Sequence, residues 1–473
     1  MNKIIVKNAL WLFTGQTIGR IFRVFILIYS ARVLGAASWG ALSYVLSLAA
    51  FFTIFSDIGI NALVMKEASK NPGSRLKYLS TAFFIKAVIL TTIIIFALVF
   101  RNYLTNIEEA KPLIGLMVFI VVFDALRNLG SSIARAMEKM EIESGVNIFT
   151  NAAIMVIGFI VLKTNPTSYL MMLAYVLGTA AGFLAMVFVL RNHIKGLFSY
   201  FDKRLVRPIF SSAWPFGIIG LTSVIMINID VLILGWMVSA AEVGFYAAAQ
   251  RPIQFFYILP SIIASTFFPT LARLIKSKND FRSIFEQGLK ISFLFSIPMT
   301  IGGVILAKPI IVGLYGLEYL PATISFLILC LTLIITFPTS IIINAIFAFD
   351  KQRSVLPYSI AGIISNTVLN ILLIPYLGIA GCALATLINQ TAINIYLWIK
   401  MKNINYFTIF NHLTKIIPAS FIMGGLTLIL ELSGVNVWIN LAVSVVFYFA
   451  VLWGFNEGTL KILYSYLRPK NGL

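Results

Sequence analysis

Windows of about twenty predominantly apolar residues recur along the whole of this 473-residue chain, each long enough to carry an α-helix across a hydrocarbon core. Inside lipid an unpaired backbone N–H or C=O costs several kcal/mol, so a spanning segment must be a helix or a strand of a closed barrel, and windows of this length select the helix. Fourteen spans are predicted, at roughly 9–34, 40–63, 79–100, 112–136, 146–163, 168–190, 210–236, 243–270, 286–307, 322–348, 356–376, 379–399, 415–432 and 437–456. The fold class expected is therefore an all-α polytopic membrane protein. Only 11% of residues are charged and mean hydropathy is +0.95, against roughly a quarter charged in soluble domains. That excludes a soluble enzyme and a nucleic-acid binder. The loops between spans are too short to hold a catalytic domain. The first apolar run is too long for a signal peptide and is expected to stay in the mature protein.

The formal charge of +19 arises from 36 Lys and Arg against 17 Asp and Glu. With the N-terminus inside, 25 of the 36 fall in inner loops and tails and four, Arg101, Lys111, Lys163 and Lys308, in outer loops. Such asymmetry places both termini in the cytoplasm, and adding or losing one span would scramble it. Cys330 and Cys382 lie in apolar runs without ligand-like spacing, so neither a disulfide framework nor a metal site is expected.

Two segments are echoed. Arg32-Val33-Leu34-Gly35, Gly40 and Tyr44 resemble Val231 to Gly235, Gly244 and Tyr246, about 200 residues on; Ala136-Met137-Glu138-Lys139 resembles Ala348-Phe349-Asp350-Lys351. A duplicated six-helix unit explains both. Because six is even, the copies enter the membrane the same way and are related by a pseudo-twofold along its normal. The expected domains are an N-terminal lobe at 1–205, a second lobe at 206–402, and an added helix pair with a cytoplasmic tail at 403–473.

Seven basic residues remain inside spans: Arg20, Arg23, Arg32, Lys86, Arg127, Arg251 and Lys290. A central Arg or Lys costs about 2.5–3.5 kcal/mol on insertion scales, so each needs a cavity, a partner or a route to the interface. Gln16, Arg20 and Arg23 stand at i, i+4 and i+7 and form one cationic face. Arg251 shares a side of the eighth span with Gln254, beside a helix-breaking Pro252. Lys86 and Lys290 either add to the cationic set or snorkel to the inner interface. Among the acids, Asp124 is placed to pair with Arg127 at i, i+3, while Asp57 and Asp230 are candidates to carry a coupling proton or to counter an arginine. The pairs Asn366/Asn370 and Gln390/Asn394 are expected to bond between helices.

A cationic cavity suits an anion, and the guanidinium fork suits phosphate. No G-x-x-x-x-G-K-[ST] motif is present, so ATP is not the direct driver. An inside-negative potential favours outward movement of a substrate bearing two negative charges by up to roughly 4–5 kcal/mol per 100 mV.

The stretch from Asn8 to Gln16, the run Ala31 to Gly35 with Gly40 and Tyr44, Asp57-Ile58-Gly59, and Ile229-Asp230-Val231 with Leu234-Gly235, Gly244 and Tyr246 together resemble the bacterial polysaccharide biosynthesis flippases. These are the O-antigen and exopolysaccharide repeat-unit translocases of the multidrug/oligosaccharidyl-lipid/polysaccharide exporter superfamily. The resemblance implies two six-helix lobes in a V shape and secondary transport with counter-flow of H+ or Na+, with no cofactor. The implied substrate is an undecaprenyl-diphosphate-linked oligosaccharide, moved from the inner to the outer leaflet of the bacterial inner membrane. Its implied partners are membrane lipids, a polysaccharide polymerase and chain-length machinery; the duplicated lobes already supply an interface within one chain, so the single chain is expected to be the working unit. Arg20, Arg23 and Arg251, with Gln16, Gln254, Lys86 and Lys290, are the substrate-binding candidates; Asp57, Asp124 and Asp230 are the ion-coupling candidates. A lipid II flippase and a multidrug cation antiporter of the same superfamily stay open as alternatives. A membrane glycan polymerase or glycosyltransferase would need a large outer loop, which this chain lacks.

Overall fold

The computed structural model describes residues 3–351 and 354–458. The expected tail at 459–473, with its three basic residues, lies outside them. Among the described residues there is no strand. The helices run α1 (Lys3–Leu34), α2 (Ala36–Phe55), α3 (Ile60–Lys70), α4 (Arg75–Val99), α5 (Lys111–Ala136), α6 (Met140–Thr164), α7 (Ser168–Leu190), α8 (Val206–Met237) and α9 (Ala240–Phe256). They continue with α10 (Ile258–Arg273), α11 (Lys278–Ile305), α12 (Ala307–Tyr315), α13 (Ala322–Leu331), α14 (Leu333–Ala348), α15 (Leu356–Ile404), α16 (Phe410–Leu413), α17 (Ile416–Leu432) and α18 (Val437–Gly454).

Ten helical stretches among the described residues are long and apolar enough to cross a membrane, or eleven if the bent α8 is one span. The sequence count of fourteen is reached only if three more are admitted. These are α1, whose Arg20, Arg23 and Arg32 dilute its apolar run, the 17-residue α17, and a second span from α15, which breaks at Gly378 (φ 54°). The expected eighth span is also divided. Pro252 lies within α9, and the helix restarts after Tyr257 as α10.

Contacts group the chain into two compact units that meet between Ala247 and Ala248. In the first, α2 and α3 form a broken helix whose joint, Asp57-Ile58-Gly59, carries two left-handed residues (Ile58 φ 41°, Gly59 φ 82°). A Cβ on Gly59 would stand 2.2 Å from the Ala213 carbonyl oxygen, and one on Gly217 would stand 2.7 Å from the Ile58 backbone, so α8 crosses this joint backbone to backbone. The seventh predicted span thus packs with the first unit, although the repeat assigns it to the second lobe.

Further along, α2 meets the start of α9 reciprocally. A Cβ on Gly40 would sit 1.8 Å from the Ala240 carbonyl oxygen, and one on Gly244 would sit 2.0 Å from that of Ala36. Ala36-xxx-Gly40 and Ala240-xxx-Gly244 therefore interlock, each small pair admitting the other's backbone. The echo at 136–139 and 348–351 has a common geometry too. Glu138 (φ 58°) and Asp350 (φ 54°) are both left-handed, and Lys139 N–H and Lys351 N–H donate back to Ala134 and Ile346 carbonyls. This is a Schellman stop. The same stop ends α17 at Gly434 and α18 at Asn456, so the echo rests on the residue order as well as the conformation.

Within the first unit the turns fall into two sets. Ser69, Arg75, Glu138, Lys139 and His193, from the segments after α3, α5 and α7, line one cavity of about 380 Å³. By contrast, the segment after α4 meets the end of α8: Thr105 Oγ1 donates to the Gly235 carbonyl (3.4 Å) and Asn106 Nδ2 to that of Trp236 (2.8 Å). The two sets alternate along the chain, as inner and outer loops must, and the basic residues collect on the first.

The second unit centres on α11, α14 and α17, with Phe281, Phe285, Leu289, Ile341, Ile342, Ala345 and Ile416 fully buried. The α17–α18 pair is joined by a buried polar chain in which Asn440 Nδ2 donates to the Thr427 carbonyl (3.0 Å) and Thr427 Oγ1 donates to Ser444 Oγ (2.8 Å).

Candidate functional site

The cationic face of α1 is held by its neighbour α6. Gly15 and Gly19, one turn apart, let α6 come close: a Cβ on Gly15 would stand 2.5 Å from Ser144 Cβ, and one on Gly19 would stand 2.9 Å from Asn147 Nδ2. Into this seam α6 sends polar side chains. Ser144 Oγ donates to the Trp11 carbonyl (2.6 Å) and Asn147 Nδ2 to that of Gly15 (3.1 Å). Arg23 Nε donates to Asn151 Oδ1 (3.2 Å), and Asn151 Nδ2 in turn donates to the Asn147 carbonyl (2.8 Å).

Around the rest of α1, most of the exposed apolar side chains lie away from the cationic set. Leu10, Ile18, Ile21 and Phe25 are exposed apolar residues and, at about 100° per residue, lie on the arc roughly opposite Gln16, Arg20 and Arg23; Phe13, also exposed, lies beside Arg20. Gln16, Arg20 and Arg23 are themselves exposed. The two polarities therefore point to different surroundings, the apolar arc suited to lipid and the cationic arc to an aqueous or anionic one. No carboxylate pairs with Arg20 or Arg23 among the described residues.

The other basic candidates are placed differently. Lys86 does not snorkel; it is fully buried, with Nζ 2.9 Å from Asp57 Oδ1. Asp57 Oδ1 also accepts from Asn61 N–H (3.0 Å), which starts α3 after the left-handed joint. Lys86 and Asp57 thus fasten α4 to the break in the second span. Lys290 is paired with the buried carboxylate of Glu457 and fastens α11 to the segment after α18. In the second unit Arg251, half-buried on α9, donates from Nη1 to Gln254 Oε1 (3.0 Å), so the two predicted partners do meet.

Asp124 and Arg127 form the i, i+3 ion pair (2.9 Å). Asp230, buried on α8, accepts from the Tyr246 hydroxyl of α9 (2.7 Å). Gln390 and Asn394 bond across to α14, accepting from Thr336 Oγ1 (3.1 Å) and donating to Thr339 Oγ1 (2.5 Å); Asn370 Nδ2 donates to Asn366 Oδ1 within their own helix (3.1 Å). Among the described residues no group of three His, Cys, Asp or Glu could hold a metal ion.

Sequence reasoning overlooked two constellations. The seam Ser144, Asn147 and Asn151 repeats at i, i+3 and i+7 in an apolar span, a helical polar stripe that was open to reading. Glu286 was the other: it accepts from Arg282 Nε (2.8 Å) and Thr408 N–H (2.7 Å) and lies 3.2 Å from His412 Nε2. Thr408 and His412 lie some 120 residues further on, and no local spacing announces them.

Residues 5–275 match the family described as polysaccharide biosynthesis protein. In Haloferax volcanii, the probable flippase AglR is 31% identical over 168 residues, covering 34% of this chain and 35% of that protein, so the match spans about a third of that relative. A probable low-salt glycan biosynthesis flippase of the same organism is 23% identical over 397 residues, covering 81% of this chain and 80% of that one. Among solved structures, the lipid II flippase MurJ in an inward closed conformation superposes with a TM-score of 0.79 at 19% identity, covering 95% of this chain and 99% of that one. An inward-facing multidrug resistance MATE family transporter of the MOP superfamily gives 0.68 at 13% identity, covering 82% and 95%. The fold is that of MurJ and the MATE transporters. With more than half of its length matched by one family, the chain belongs to the polysaccharide biosynthesis protein family.

Proposed function

We propose that the chain is a flippase that moves a lipid-linked oligosaccharide across the membrane by alternating access, with the diphosphate of the lipid carrier bound by Arg20 and Arg23. One observation carries this: an otherwise apolar helix presents two arginines and Gln16 on one exposed arc, opposite Leu10, Ile18, Ile21 and Phe25, with no carboxylate paired to either arginine among the described residues. Uncompensated guanidinium groups in a membrane helix are costly, and a phosphate that accepts their paired N–H donors supplies the missing charge. A cationic drug would be repelled there. In the second unit, Arg251 with Gln254 is the corresponding basic group, proposed to act on the same class of anion.

The finer reading assigns the substrate as an undecaprenyl-diphosphate-linked O-antigen or other polysaccharide repeat unit, moved outward across a bacterial inner membrane with the basic edge cytoplasmic. Coupling to H+ or Na+ would use a change of charge at Asp57, Asp124 or Asp230: separation of an existing ion pair at the first two, or protonation beneath the Tyr246 hydroxyl at the third. A polymerase and chain-length machinery would receive the product, and the single chain would suffice for movement.

The test is leaflet movement of a fluorescent undecaprenyl-diphosphate oligosaccharide in proteoliposomes, with lipid II and a cationic dye as competing substrates. Wild type moves the oligosaccharide, and Arg20→Ala/Arg23→Ala, folded as judged by its melting curve, slows it at least tenfold. Dye transport without oligosaccharide movement would overturn the assignment, and preference for lipid II would move the substrate to the cell-wall precursor.

A further inference from the structure

The cavity at the basic edge of the first unit takes no part in the site above. Three separate turns build it: Ser69 and Arg75 flank the turn between α3 and α4, Glu138 and Lys139 form the turn after α5, and His193 follows α7. Its volume of about 380 Å³ far exceeds the roughly 30 Å³ of one water, so it has room for a headgroup. Two fixed cations, Arg75 and Lys139, and the His193 ring face one acid, Glu138. Arg75 spends Nε and Nη2 on long contacts (3.4 Å each) to the Ala68 carbonyl, which orients the guanidinium and leaves Nη1. Lys139 is exposed. His193 Nδ1 is shielded from solvent and has no hydrogen-bond partner among the described residues, a buried polar atom that a ligand or water would satisfy.

A second observation identifies the source of the ligand. The segment that carries His193 also carries Phe198, Tyr200 and Phe201, exposed by 71%, 47% and 45%. They are not loose. Phe198 packs edge-on to Phe83 (5.6 Å) and Phe201 to Phe84 (5.2 Å), while Asp202 N–H donates to Thr81 Oγ1 (3.2 Å). The segment is pinned along α4 with apolar rings outward and Lys195, Lys203 and Arg204 among them, the composition of a strip seated at headgroup depth.

We propose that this cavity binds the phosphate of an anionic phospholipid from the leaflet on the basic edge. The phosphate meets Arg75, Lys139 and the His193 ring, and the acyl chains run beside Phe198, Tyr200 and Phe201. A phosphodiester headgroup without a balancing amine, as in phosphatidylglycerol, fits the excess positive charge; a zwitterionic headgroup does not. A bound lipid would cross-link the three turns and so tie α3, α5 and α7 at that edge.

The experiment uses the full chain in phosphatidylcholine nanodiscs doped with photoactivatable phosphatidylglycerol or phosphatidylcholine, with labelled peptides mapped by mass spectrometry. Phosphatidylglycerol is expected to label residues 136–139 and 191–202, with yield falling about tenfold in Arg75→Gln/Lys139→Gln and recovering in Arg75→Lys. Lys66→Gln/Lys77→Gln, which removes the same charge from exposed positions outside both the cavity and the aromatic strip, should leave the yield unchanged. The single variant Lys139→Gln, at an exposed position, keeps the test valid if the double variant unfolds, and is expected to lower the yield severalfold. Equal labelling by phosphatidylcholine, or equal loss in the Lys66/Lys77 control, overturns the proposal as general surface charge. Complete displacement by excess inorganic phosphate overturns the lipid source and makes the cavity a site for a soluble phosphate.

Discussion

Residues inside the membrane divide by whether their charge is already answered. Lys86, fully buried, and Asp57, partly buried, answer each other, and in such a setting removing one partner is costly and removing both is cheap. Lys86→Met alone is expected to destabilise the protein by about 3–5 kcal/mol, seen as a lowered melting temperature and poor recovery from detergent. Lys86→Met/Asp57→Asn should recover most of the loss, and a double variant no better than the single would deny the pairing. Arg20 and Arg23 belong to the opposite class. Their replacement by alanine should leave melting nearly unchanged and abolish movement, whereas Arg→Lys, keeping charge without the fork, should retain part of the rate. Melting loss in parallel with transport loss would make them structural.

At the scale of elements, backbone-to-backbone crossings govern. The reciprocal contact of Ala36-xxx-Gly40 with Ala240-xxx-Gly244 leaves no room for a Cβ, so Gly40→Val or Gly244→Val must push α2 and α9 apart. A cysteine pair at Ala36 and Ala240 is expected to cross-link readily in wild type and severalfold less in either variant; unchanged yield would show that the crossing is tolerant. A second prediction concerns α11 and the segment before α17. Glu286→Gln removes the charge that gathers Arg282, the Thr408 N–H and His412, at about 1.5–3 kcal/mol for charged hydrogen bonds. Faster amide exchange confined to 405–416 is the expected result. Helix identity was legible in the sequence because the apolar period acts locally. The Lys86–Asp57 pair and the Glu286 cluster were not, since each depends on which helices become neighbours. Snorkelling was a fair expectation for Lys86 from depth alone, but the break at Asp57-Ile58-Gly59 brought a carboxylate to the ammonium. The cationic face of α1 was legible because a helix fixes i, i+4 and i+7 together, while the α6 stripe that supports it was visible but unread.

For the molecule as a whole, charge asymmetry and transport direction should be linked. A substrate of two negative charges leaving an inside-negative compartment gains up to roughly 4–5 kcal/mol per 100 mV, less any charge carried back. Outer-leaflet accumulation in proteoliposomes is therefore expected to rise with an inside-negative potential and to fall when polarity is reversed, and indifference to polarity would mean that no net charge moves. The seam between α1 and α6 has its own consequence for how such proteins diversify. Ser144 and Asn147 hold α1 by its carbonyl groups at Trp11 and Gly15, bonds that any residue at those positions would supply provided its side chain fits. Under the proposed function, anchorage and recognition fall to different atoms of one helix, so that positions 16 and 20 could be rewritten for another acidic cargo while the helix keeps its seat, a route to new substrate range without rebuilding the scaffold.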